Sequence, residues 1–282
     1  MISIGLENEL NRLCDEQPFH TGWYVKNLRT GTVLERHGSI VVPSASTRKI
    51  AIMIAALKAV NEGELSLSQP VTMASRFKNN DSGCFQHLRS EFVIQLQDAL
   101  VMIIIVSDNT CTGAVADLVG LEEINALCQS IGMEDTVHRY GIPPAGMAGY
   151  LPAEKTNSTT PTDVALLLEI ILGGAGDEKS AGLLECTSEL CQLAIDILNW
   201  QRLRNRIPAR LPLGTKVAHK TGTTAKPYND AGIFYAGHEP LFPFSPHTDN
   251  IPAELPTGAP GHTVAYDLTA RLSRLCWDEF LL

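Results

Sequence analysis

Apolar residues recur along this chain in two alternating rhythms. Residues 1–17, MISIGLENELNRLCDEQ, place Leu6, Leu10 and Leu13 at helical spacing among charged neighbours, which predicts a surface helix. Residues 22–41, GWYVKNLRTGTVLERHGSIV, alternate instead, and the RTG turn between two β-rich runs predicts an antiparallel hairpin. From Ile50 to about Glu64 the helical rhythm returns and ends near Gly63. The run 92–106, FVIQLQDALVMIIIV, becomes apolar on nearly every side, the pattern of a helix buried all round at the centre of a helical lobe. Further helices are expected over 121–131, 161–172 and 180–199, with Thr160-Pro161 as a start signal for the second. Beyond Leu211 the β rhythm resumes in KVAHKTG and DAGIFYAG. A last helix over about 263–280 carries Ala265, Leu268, Leu272, Leu275 and Phe280 on one side. The proline-rich stretch 239–261 reads as a long surface loop, with a place beside a cleft as the other option.

The order is a helix and hairpin, a helical middle, then strands and a closing helix. That is an α+β chain with an antiparallel sheet flanked by helices plus an all-helical lobe, not an alternating βαβ chain. One unit of 1–282 is expected, its α/β lobe approximately 1–45 and 205–282, its all-α lobe approximately 46–204.

Charge and cysteine content remove several function classes. The net charge is −9 and no Lys/Arg run forms a basic face, so nucleic acid is not an expected partner. No uncharged apolar run reaches 18 residues, so no membrane span is expected. The N-terminus shows no basic and apolar leader, which favours the cytoplasm, with secretion through a leader removed from this sequence as the alternative. The seven cysteines (14, 84, 111, 128, 186, 191 and 276) are scattered without zinc spacing, and read as buried thiols acting as small hydrophobes. Neither a metal nor an organic cofactor is expected. Nothing in the sequence bears on oligomeric state.

The candidate chemistry begins at VPSASTRKIAIMIAAL, residues 42–57. Ser46 and Lys49 lie one helical turn apart at the start of an otherwise apolar helix. A buried lysine close to other cations has a lowered pKa, and once neutral it can take a proton from a serine hydroxyl. Free N–H groups at a helix start also suit an oxyanion. Ser-x-x-Lys alone is a weak signal: it equally describes an N-cap serine with a solvated lysine, and Ser75 and Lys78 form a second copy with no apolar helix after them. Two further polar clusters follow. Ser107-Asp108-Asn109 comes directly after the apolar run, where polar groups need partners or a cavity; an Asx-type turn would explain it too. Lys220-Thr221-Gly222 ends a strand, where Gly222 permits close backbone approach.

Ser-x-x-Lys, Ser-Asp-Asn and Lys-Thr-Gly, in that order, form the motif trio of class A β-lactamases and penicillin-binding proteins. From the hairpin near Trp23 to the final helix the chain resembles that superfamily of serine hydrolases, and the motif separations fit as well. The resemblance implies Ser46 as nucleophile and Lys49 as its base or proton relay. Ser107 would pass a proton to the departing nitrogen. Asn109 would hold the substrate amide and contact Lys49. Lys220 and Thr221 would bind a substrate carboxylate and tune Ser107, while backbone N–H groups of Ser46 and Thr223 form the oxyanion hole. Asp108 would hold its loop, and the partner would be a small molecule or peptide bearing a carboxylate.

One element of the pattern is missing. Class A β-lactamases carry a loop glutamate that activates the deacylating water, before a Thr-Thr-Pro helix start. Counted back from Thr159-Thr160-Pro161, its place falls on Pro144, and the neighbouring asparagine's on Ala148. Glu154 is the only carboxylate between Tyr140 and Pro161; His138 and Tyr140 are further candidates for activating water. Three readings stay open: a serine hydrolase acting on an amide, lactam, peptide or ester; a true β-lactamase with a rearranged loop; and a penicillin-binding or sensor protein that is acylated without turnover. Phe85 is a candidate cleft wall or a core residue, and His219 a packed strand residue.

Overall fold

The computed structural model describes residues 4–144 and 151–281. Helix α1 (Ile4–Asp15) leads into β1 (His20–Lys26), β2 (Val33–Arg36) and the short β3 (Val42–Pro43). Helix α2 (Lys49–Asn61) follows, then β4 (Pro70–Met73), β5 (Phe92–Gln95), α3 (Leu96–Ile105), α4 (Asn109–Val119) and α5 (Leu121–Ser130). The short β6 (Ser158–Thr159) precedes α6 (Pro161–Gly176), α7 (Glu178–Ala181) and α8 (Ser188–Asn199). The chain closes with β7 (Lys216–Thr223), β8 (Tyr228–Ala236), β9 (Glu239–Phe244), β10 (His247–Asp249) and α9 (Gly261–Phe280).

The main sheet is antiparallel: β1 pairs with β2, β9 and β10, β9 with β8, and β8 with β7, which forms an edge. Both faces of its inner strands are covered, so β8 runs apolar without alternation from Ala231 to Ala236. On one face Val217, Phe234 and Phe242 pack against Leu6, Leu10 and Leu13 of α1 and Leu268, Leu272 and Phe280 of α9. On the other, Ala218, Ala231 and Ile233 join a larger core built on α2. Every residue of α2 from Lys49 to Leu57 is buried. The helix buried all round is therefore α2; α3 leaves Val101 and Met102 only partly covered.

Other expectations are corrected. Residues 92–95 are a strand paired with β4, Phe92 opposite Met73 and Gln95 opposite Pro70, so the helix begins only at Leu96. The stretch 180–199 breaks at Glu185, whose φ of 52° is left-handed, and resumes as α8 under a Thr187 cap. The region 239–261 is no single loop: its first half supplies β9 and β10. Helix α4 had no counterpart in the sequence reading. The Thr160 cap accepts from Asp163 N at 3.0 Å with Pro161 next, as the start signal implied. All seven cysteines are free, and all but Cys84 are buried.

Candidate active site

The cleft lies between the edge strand β7 and the helical region. It has a volume of about 350 Å³, with Ser46, Lys49, Asn109 and Thr223 among its lining residues. Ser46 sits in the turn before α2, where Lys49 N donates to Ser46 O at 3.2 Å. Ala45, just before it, holds φ at 47°, a strained value for alanine. Neighbouring bonds enforce it: Thr47 Oγ1 donates to Ser44 O at 2.6 Å, Ser44 N to Asn157 O at 2.9 Å, and Asn229 Nδ2 to Pro43 O at 3.0 Å. Gly222 explains the third motif. A Cβ there would meet Ser46 N, Thr47 N and the Ala45 Cβ, each at 3.1 Å, so glycine lets β7 close on this turn without pushing it back.

Lys49 is 1% exposed. Its Nζ meets Asn109 Oδ1 at 2.6 Å, Ser107 O at 2.8 Å and Ser107 Oγ at 3.1 Å. None of these bonds goes to Ser46, although both residues line the cleft. Burial first, then the cations of Lys220 and Arg48, push the Lys49 amine well below its usual range, with Asp108 opposing. Ser107 is a second strained residue, φ 58°, clamped by Lys49 and by Ser82 Oγ, which donates to Ser107 O at 2.9 Å. Asp108 does hold its loop: it caps α4 through Cys111 N and accepts from Cys84 N and Phe85 N, the latter two at 2.8 Å. Phe85 packs edge-on against Phe92, away from the cleft.

Lys220 is fully buried on β7 and donates to Thr221 O at 2.7 Å. Burial, helped by Arg206 and opposed by Asp230, lowers its pKa to about 7. Its neighbour His219 bonds Asp230 at 2.9 Å behind the strand. Thr221 is buried as well, while Thr223 reaches the cleft.

Lys220 yields a stability prediction. Unfolded, this amine titrates at about 10.4; folded, at about 7. Between those values the unfolded chain binds more protons, so the lysine's burial cost shrinks as pH rises. Below about pH 7 both states are charged and the cost is greatest. Lys220→Met is therefore expected to raise the melting temperature most below pH 7, with the gain fading toward pH 10. Thermal unfolding of both chains across that range checks it.

Three residues of this site gave no signal in the sequence. Arg206, 2% exposed, donates to Gly222 O at 2.9 Å, contacts Thr223 Oγ1, and lies 4.5 Å from the Tyr266 ring centroid. Asn157 lines the cleft and accepts from Arg139 N and Tyr140 N. Arg48, 5% exposed, lines the cleft and donates through Nη2 to Gly141 O.

Among the described residues that line the cleft, Asp81 is the only carboxylate, and it belongs to the 78–90 segment and not to the loop before Thr159. Glu154 opens onto a separate depression with Val41 and Lys226. Pro144 also faces elsewhere, beside Phe77 and Gly113, and Ala148 lies outside the described residues. His138 is buried, and burial together with Arg48 pushes its pKa down to about 3.

An antiparallel sheet and a helical region enclosing such a cleft make up the β-lactamase/transpeptidase fold. The sequence matches the family described as the β-lactamase enzyme family over residues 5–280, and the chain belongs to it. It is thus a hydrolase of the β-lactamase and penicillin-binding type. Among solved structures it is similar to PBP-A, at 26% identity and TM-score 0.82, over 99% of this chain and 96% of that one. A PBP-A variant solved as its acyl-enzyme complex with penicillin G gives 27% identity and TM-score 0.82, over 98% of this chain and 96% of that one. A β-lactamase from Sphaerobacter thermophilus DSM 20745 shares the fold at 24% identity and TM-score 0.85, over 100% of this chain and 99% of that one. No curated protein matches the sequence. No helix among the described residues is long and apolar enough to cross a membrane, and no His/Cys/Asp/Glu group among them could hold a metal.

Proposed function

We propose that the protein cleaves an amide, lactam, peptide or ester bond through an acyl-enzyme at Ser46, with Lys49 as the base for both half-reactions. The observation that carries this reading is the Lys49 amine: buried, held by Ser107 and Asn109, and flanked by cations that favour its neutral form. A neutral amine needs only two of its three present bonds as donor. Its lone pair is then free to take the Ser46 proton or to accept from the Ser107 hydroxyl, 3.1 Å away. Catalytic hydrogen bonds are often long in empty sites and shorten with substrate. Substrate would bring the Ser46 hydroxyl onto the amine.

In this scheme Ser46 Oγ attacks the carbonyl carbon, and the N–H groups of Ser46 and Thr223 receive the oxyanion. Ser107 returns a proton to the leaving nitrogen. The substrate carboxylate lies against Thr221 and Thr223, with Lys220 and Arg206 behind them. Water then enters from the loop side, and Lys49 activates it in place of a loop acid.

The lack of a loop carboxylate in the cleft favours one second reading, a penicillin-binding protein that is acylated and stays so. Intact-mass time courses with benzylpenicillin and with a small reactive ester separate the two. The proposal expects an adduct from both reagents, with the ester turned over and the penicillin adduct persisting for many minutes. Permanent adducts from both select the second reading. Fast penicillin turnover abolished by Glu154→Gln selects a true β-lactamase.

A further inference from the structure

Four basic side chains line or back the cleft, and each is at most 5% exposed: Arg48, Lys49, Arg206 and Lys220. Among the described residues none forms an ion pair with a carboxylate. The two buried acids near them are already occupied. Asp108 accepts from three backbone N–H groups, and Asp230 from His219, Ile207 N and Ala231 N. Buried charge without compensation is costly; Lys49 is held toward its neutral form and Lys220 is lowered to about 7, so the two arginines carry the lasting charge, and a site that keeps them is built to receive negative charge from outside. Lys49, Lys220 and Arg206 already have uses in the scheme above, with one carboxylate shared by the latter two. Arg48 has none.

Arg48 also differs from them in position. It lines the cleft along with Ser46 and is tied to the loop side through Gly141. Its Nη2 is fixed on Gly141 O, while Nη1 is buried without any hydrogen-bond partner. With one arm anchored, the unsatisfied arm can donate one charge-assisted hydrogen bond to a carboxylate. In the scheme above one substrate carboxylate is held at Lys220 and Arg206 and the amide at Asn109, which leaves the loop side, where Arg48 is anchored, for the acyl part. We infer that the natural substrate is a dianion, carrying a second carboxylate on its acyl side that Arg48 receives. The inference rests on the acyl-enzyme reading above and adds the substrate's chemical class to it.

Benzylpenicillin and carbenicillin make the test, because carbenicillin is the same molecule with one extra carboxylate on the acyl side chain. Second-order acylation constants at Ser46 are measured for each by intact mass. The wild-type chain is expected to prefer carbenicillin by roughly tenfold or more, the range of a charge-assisted hydrogen bond. Arg48→Gln is expected to bring the ratio to about one. The ratio is the readout because it cancels any effect of the lost cation on Lys49. Arg48→Lys keeps the charge without the fork; it should retain part of the preference and serves where the glutamine chain does not fold. A wild-type ratio of one or below, with benzylpenicillin reacting, overturns the inference alone. So does a preference that survives Arg48→Gln. No adduct from either penicillin removes the acyl-enzyme reading itself, and the inference with it.

Discussion

A Ser46→Ala chain is expected to form no adduct with benzylpenicillin or a reactive ester, a loss of about 10⁴-fold or more in acylation. Ser75→Ala, the matching change in the other Ser-x-x-Lys copy, is expected to react at the wild-type rate. The two sites share a sequence pattern and differ in everything physical. Ser75 is exposed in a short turn, and Lys78 reaches across the surface to Leu88 O. Ser46 precedes a 13-residue helix, on a turn strained at Ala45 and pressed by Gly222, with a buried lysine one turn on. Acylation needs a fixed hydroxyl, a neutral base and N–H groups aimed at one point, and the proposed function assigns these to the second setting alone. Ser46 is only half-buried, so its alanine variant should keep its unfolding midpoint to within about 0.5 kcal/mol of stability. Lost labelling then reports chemistry and not folding. Labelling of Ser46→Ala at the wild-type rate would refute the assignment.

The sequence carried as much of this site as local patterns can carry. Ser46, Lys49, Ser107, Asn109 and Lys220 became legible through three short motifs in a fixed order, each weak alone, and the structure brings the segments that carry them around one cleft. The hairpin, α2, α6 and α9 were legible from the same kind of local pattern, α2 as a continuous apolar run and α9 as one regular stripe. The failures are equally physical. In β5 only Phe92 and Ile94 turn inward while Val93 is 53% exposed, an alternation hidden by the apolar helix that follows without a break. Helix α4 is built of small residues such as Gly113 and Ala114, packed too closely for a conspicuous stripe; a Cβ on Gly113 would lie 2.5 Å from Phe77. Pro240 and Pro243 disguise β9 as a loop. Arg48 and Arg206 could not be told from surface arginines, because what buries them is contributed by segments far away in the chain.

Lys49→Met should cost acylation at least about 10³-fold, because it removes the base while leaving the serine in place. The isosteric change keeps a buried apolar stem but leaves Asn109 Oδ1 and Ser107 O without their donor. It also takes away a buried cation, so its effect on stability is the difference of two opposing terms. That makes the pH profile the sharper measure. Burial, Lys220 and Arg48 all act to favour the neutral amine, and Asp108 is the buried acid that pulls the other way. Since only the neutral form accepts the serine proton, wild-type acylation should rise with pH through the lowered Lys49 pKa and level off well before the usual lysine range. Without Lys49, hydroxide or a distant group must do the work, and the residual rate should keep climbing into alkaline solution. A wild-type profile that climbs the same way would mean that the amine is not the base. The cations around it would then serve only to hold substrate, and the deacylating water would need another activator.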